Sequence, residues 1–232
     1  MIFDRLPAAR DESGATIMEV LVGLAAGVVV LAALSTIFVV TLRSSARVSA
    51  RVDANQRARI ALNTIVEQLH SACVAPQVSP VREGSSGTLL AFIHQTGSAV
   101  SPVPVESKIY LEGTTLKQGE YPLTGGTTPS TWTFALSPSL TKTLMTKVTP
   151  TPPNTSIFGY YAYTNGQVSS TALEMPLNAE RAAKAVKVAI AFNASPLSTP
   201  AKDAEAATNI ATAVNLRLTP PAFTSGSNLP CQ

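Results

Sequence analysis

The sequence predicts an α+β protein: one long amino-terminal helix, transmembrane in its first half, whose second half packs on a carboxy-terminal antiparallel β-sheet domain with long loops. Three observations predict it. Val20 to Leu42 runs 23 residues without a charge. No proline lies between Ala15 and Ala75, whereas 16 of the 17 prolines lie at or after Pro76. Beyond Pro76 the apolar residues come in short runs separated by Gly, Pro, Asn and Ser, the pattern of strands and turns.

Residues 1–14 hold Pro7, mixed charges and no apolar core of their own. A secretory signal has a basic start, a short apolar region and a small-residue cleavage site at its far end. Here the apolar run is longer, and no clean Ala-x-Ala break follows before Arg43. A cut ahead of the run fits better, and the processed chain then keeps its membrane segment, 15–42. A bilayer core about 30 Å thick takes about 20 apolar residues in a helix, so the run is long enough to span. Glu19 stands at its edge, five residues after Gly14. An ionised carboxylate there is costly and is usually paired or functional; the bland alternative is that it snorkels to the interface. Gly23 and Gly27 form a G-x-x-x-G, which allows close helix approach, although glycine is common in such helices anyway.

The stretch 43–75 reads as an amphipathic continuation of the same helix, since proline-free, Ala- and Leu-rich sequence favours helix. About 60 continuous helical residues would extend about 90 Å. Ala58, Leu62, Ile65, Leu69 and Ala72 step by four and three into one stripe, which should dock on the following domain. Arg43, Arg47 and Arg51 step by four on another face, and Asp53 can pair with Arg57 along the helix. The arginines read first as a solvated face or as contacts to membrane lipid head groups. Nucleic acid is the less favoured reading, because solvated charge runs are commoner.

In the region 76–232, Thr88–His94 reads as a strand. Lys108–Leu111 and Thr115–Lys117 read as a hairpin about Glu112-Gly113. Thr131–Leu136 alternates as a strand does. Phe158–Tyr163 and Gln167-Val168 read as a second hairpin, whose Asn165-Gly166 suits a turn with positive φ at both central positions. Ala179–Ala183 reads as a short helical turn, Ala185–Phe192 as a strand and Ile210–Leu218 as the last one. The segments 76–87, 96–107, 119–130, 149–156 and 194–207 read as loops. Antiparallel sheet packed on the helix stripe is the natural layering.

Composition narrows the function. Charged residues are 13% of the 232, against roughly 25% in typical soluble domains. The net charge is +3, and removing residues 1–14, which carry −1, would leave +4. That charge is too small and too spread to argue for a nucleic-acid partner. With two His, His70 and His94, and two Cys, Cys73 and Cys231, no zinc-ligand spacing occurs. Neither metal nor cofactor is implied. Cys73 and Cys231 either form one disulfide, if the chain is exported, or remain two thiols. An enzyme is not indicated. Ser139-Leu140-Thr141-Lys142 is an S-x-x-K with no K-T-G suitably placed after it, and no Gly-rich phosphate loop is present.

The stretch Ser13-Gly14-Ala15-Thr16-Ile17-Met18-Glu19-Val20, with the apolar run behind it, resembles the processing signal of the type IV pilin superfamily. The resemblance implies a prepilin leader of residues 1–14, cleavage by prepilin peptidase between Gly14 and Ala15, and N-methylation of Ala15. Phe is usual at that first position and Ala stands here. Glu19 would neutralise the terminal amine of a neighbouring subunit, each charge lowering the cost of the other. The helix end from Gln56 to Ala72, the Tyr110 strand with its Glu112-Gly113 turn, the Phe158-Gly159-Tyr160-Tyr161 hairpin and Val186–Ile190 look like PilW-type minor pilins and J-type pseudopilins. The implied function is a structural subunit of a type IV pilus or type II secretion-like filament. Its implied partners are other pilins or pseudopilins and an inner-membrane assembly platform. It would be a single-pass cytoplasmic-membrane protein with an extracytoplasmic carboxy-terminal domain, later part of a cell-surface or periplasmic filament. The basic residues point the other way: Arg5 and Arg10 precede the segment, while Arg43, Arg47, Arg51, Arg57 and Arg59 follow it. Long domains, however, translocate largely regardless of charge. The alternative is an uncleaved signal-anchored extracytoplasmic ligand-binding domain that does not polymerise.

Overall fold

The computed structural model describes residues 16–73, 78–98, 101–197 and 207–216. The protein is α+β, with a long amino-terminal apolar helix and an antiparallel β-sheet region after it. The helix, α1, runs Ile17–His70. The chain divides into two compact units between Val48 and Ser49, inside α1.

In the first unit every described residue from Thr16 to Val48 is exposed. A helix that is apolar all round requires lipid or other protein around it, and this one is long and apolar enough to cross a membrane. Two of its hydroxyls are satisfied locally. Thr36 Oγ1 donates to Ala32 O and Thr41 Oγ1 to Ile37 O, both at 2.9 Å, so neither needs water inside an apolar medium.

The second unit begins with the later turns of α1. Ala54, Ala58, Ala61, Leu62, Ile65 and Leu69 are buried there, and helical spacing puts them on one face. They belong to a hydrophobic cluster with Leu90, Phe92, Ile109, Leu116, Val188, Ile190 and Phe192 from the strands. Burying one such side chain contributes roughly 1.5–3 kcal/mol.

The first sheet has five strands. β1 (Leu89–Ser98), β2 (Ser101–Glu112) and β3 (Thr115–Gly125) form a continuous meander. β4 (Thr133–Phe134) and β5 (Leu140–Thr146) share the far edge of β3 end to end. The outer edge of β1 is covered by bridges to Ala72 and Val81.

The second sheet is built on β10 (Lys187–Ala194), after the short strands β6 (Val148–Pro150), β7 (Phe158–Tyr161), β8 (Tyr163–Thr164) and β9 (Gln167–Val168). β6 and β7 pair with one edge of β10, and β11 (Thr208–Asn215) pairs with the other. β10 alternates strictly: Val188, Ile190, Phe192 and Ala194 are buried, while Lys187, Ala189, Ala191 and Asn193 are half-buried. Before it, α2 (Ala179–Lys184) is capped by Asn178, whose Oδ1 accepts from the Arg181 N–H at 2.8 Å.

The structure corrects several expectations. α1 stops at His70 instead of reaching 75 because the next residues turn to the sheet: Ala72 bridges to His94, and the Cys73 N–H donates to Ile93 O at 2.8 Å. Much of 96–107 and 119–130, expected as loop, is strand. Pro102 and Pro104 are tolerated because pairing with β3 starts only at Val105, so that stretch of β2 has one neighbour and a missing N–H costs no ladder bond. The strand expected over Thr131–Leu136 shrinks to Thr133-Phe134. A 3-10 turn, Pro129–Thr131, precedes it, and Leu136 beyond it is fully exposed. Phe158–Tyr161 pairs with β10 rather than with the strand after Asn165-Gly166. That turn does have positive φ at both residues, 54° and 77°, but it closes only β8 and β9.

Candidate functional site

The amino-terminal segment is built by helix initiation. Thr16 precedes α1, and its carbonyl accepts from the Glu19 and Val20 N–H groups at 2.9 and 3.2 Å. Thr16 Oγ1 also accepts from the Glu19 N–H, at 3.4 Å. This is one half of a capping box, in which Ser or Thr stands three residues ahead of Glu. A carboxylate in the first turn also faces the positive end of the helix dipole. Glu19 therefore has a local structural role besides any role toward a partner. The signal for it, Thr-x-x-Glu, is present in the sequence. Gly14 and Ala15, the residues of the expected cut, lie outside the described residues.

Gly23 and Gly27 lie one helical turn apart on one face. A Cβ added at either would meet nothing within 4 Å. Among the described residues no contact requires either glycine, and the face they share is open.

The arginines that follow are mostly solvated. Arg43, Arg47 and Arg51 are exposed. Arg57 Nε pairs with Asp53 Oδ2 at 3.0 Å along the helix, and its Nη2 donates to Ser195 O at 3.4 Å. Among the described residues no group of three or more metal-ligating side chains occurs.

A second constellation was hidden from sequence reading. Alternation along β1 puts Leu90, Phe92 and His94 on one face, toward the cluster that includes α1. His94 Nε2 lies 3.0 Å from Ser107 Oγ on β2. Gln118 Nε2 on β3 donates to the same oxygen at 3.2 Å, and Gln68 Nε2 on α1 donates to Gln118 Oε1 at 3.4 Å. Burial holds the His94 pKa below its ordinary value, opposed by the Gln95 backbone and the charge of Glu120. The ring is thus kept neutral, and its Nε2 can accept the Ser107 hydroxyl hydrogen. A His beside a Ser invites a nucleophile–base reading. Yet Ser107 is 0% and His94 5% exposed, so a substrate cannot reach the pair. The constellation is a polar pin joining α1 to three strands.

His70 is exposed at the end of α1. Ser139 Oγ donates to Glu120 O at 3.2 Å. Among the described residues no hydrogen bond joins it to Lys142, which lies on β5.

Cys73 is fully buried with Val78 and Ile93, and Trp132 and Phe134 pack against them. It is disulfide-bonded. The one other cysteine of the sequence, Cys231, lies outside the described residues. No protein-family model, curated protein or solved structure matches the chain.

Proposed function

We propose that the chain is a minor pilin or pseudopilin, a structural subunit processed by prepilin peptidase and assembled into a type IV pilus or type II secretion-like filament. The observation that carries this reading is the amino-terminal half of α1. It is apolar on every face, it is exposed throughout, and it bears one carboxylate, Glu19, in its first turn. Water is a poor solvent for such a helix. Lipid before assembly and neighbouring helices afterwards both suit it.

Gly23 and Gly27 leave room on one face for a neighbouring backbone. Glu19 offers a negative charge to the new amino terminus, Ala15, of an adjacent subunit. The later turns of α1, buried among strand residues, hold the β-rich region as the part that the filament displays. The protein then starts as a single-pass cytoplasmic-membrane protein with that region outside.

The test is the mass of the amino-terminal peptide of the membrane-extracted protein, from cells with and without prepilin peptidase. A terminus at Ala15 that depends on the peptidase, with or without an added methyl group, is the expected result. An intact Met1 in both strains would overturn the reading and favour an uncleaved, signal-anchored domain that does not polymerise.

A further inference from the structure

β11 is an edge. Among the described residues its only strand neighbour is β10, paired over eight positions without a register shift. The Leu216 N–H donates to Val186 O at 2.8 Å and continues that ladder. Hydrogen-bonding direction alternates along an antiparallel strand. Even-numbered positions from Thr208 to Leu216 therefore face β10, and the N–H and C=O of Asn209, Ala211, Ala213 and Asn215 face away. An open edge of this kind templates another strand.

Two other edges are managed. β1 is bridged by Ala72 and Val81. β5 carries Lys142, and its pairing with β3 breaks register between Leu116 and Lys117. β11 has no charge, no proline and no bulge.

Beside the edge lies a groove of about 480 Å3, lined by Asn55, Arg59, Leu62 and Asn63 of α1 and by Thr208–Thr212. It offers room for the inward side chains of one more strand. Among the described residues its lining holds a guanidinium and side-chain amides and no carboxylate. Arg59 is exposed, and among the described residues its Nε bonds the neutral Asn55 amide, at 3.1 Å.

We propose that the β11 edge and this groove take an extended peptide segment of another protein as an added strand, with an acidic side chain of that segment on Arg59. The main-chain bonds supply affinity and the groove supplies choice of side chain. A second copy of this chain suits the edge poorly, because its own β11 carries no acidic side chain to set against Arg59.

The test uses the full chain in detergent micelles and a fluorescent blocked peptide, Thr-Val-Thr-Glu-Thr-Val-Thr, followed by anisotropy. Saturable binding is expected. It should weaken by about tenfold or more when alternate peptide nitrogens are methylated, and likewise in Ala213→Pro, which removes an outward N–H without touching the β10 ladder. Arg59→Glu should reverse the preference to a peptide with Lys in place of Glu, and this variant leaves the strand unaltered. Absence of binding, or equal binding by the methylated peptide or by Ala213→Pro with native circular dichroism, would overturn the proposal. So would binding that appears only after residues 217–232 are deleted, because the chain's own end then holds the edge. A dimer of the unliganded chain that Ala213→Pro dissociates would overturn it in favour of a second copy.

Discussion

Glu19 is tied into α1 through its backbone N–H, which Thr16 engages with both its carbonyl and its hydroxyl. Capping and amine pairing can therefore be separated by variants. Glu19→Ala is expected to leave membrane insertion and processing intact and to lower incorporation into filaments, read by immunoblot of the sheared fraction. Thr16→Ala removes the cap, at about 0.5–2 kcal/mol, but keeps the carboxylate, and should incorporate normally. Equal losses in both variants would assign Glu19 to helix initiation alone. At the buried pin the sign is set by burial. The His94 pKa lies below 6.5 in the folded protein, so the unfolded chain binds the proton more readily. The stabilising contribution is fully present above pH 6.5 and is lost as pH falls through the folded value. The melting temperature should drop between about pH 7 and pH 5, and His94→Gln should flatten that drop. The Thr16–Glu19 cap can be read from a short local motif, Thr three residues ahead of Glu. Ser107 was not legible, because its partnership with His94 exists only once the register of β1 on β2 is fixed.

Single elements can be tested through their closest contacts. The Gly87 carbonyl accepts from both the Ile157 and Phe158 N–H groups, at 2.7 and 3.0 Å. A Cβ added at Gly87 would collide with Ser156 Oγ and lie 2.7 Å from Ser156 Cβ. Gly87→Ala should therefore destabilise the protein by about 1–3 kcal/mol through overpacking, read as a lower urea midpoint. Ile65, fully buried on α1, should cost about 2–5 kcal/mol as Ile65→Ala. The helix was legible element by element, from its proline-free length and its stepped stripe. The strands were legible where apolar residues alternate, as in β10. β5 was missed because its first four residues are exposed and give no apolar rhythm. The amino-terminal end of β2 was missed because prolines that mark loops elsewhere are harmless on a one-neighbour edge.

At the scale of the whole molecule, α1 ends at His70 and the first strand, β1, starts at Leu89, and the distribution of prolines made that order of helix and then sheet visible. Which strands share a sheet was not visible, because β3 and β10 each hold two short strands along one edge, a matter of tertiary packing. A covalent link is the remaining long-range constraint. Cys73 is disulfide-bonded and buried, and Cys231 is the sequence's one other cysteine. Peptide mapping without reductant should recover a Cys73–Cys231 peptide, and reduction should cost about 2–5 kcal/mol in a urea titration. Recovery of free Cys231 would refute that pairing. The strict alternation of β10 carries a genetic consequence. A one-codon insertion early in β10 would shift the register of the residues after it by one and invert their faces. Phe192 would turn outward and Asn193 inward, on a strand that holds three others. Length variation among natural variants of this protein should thus be absent from 187–194 and collect in the turns, such as 151–156, where no strand counts residues.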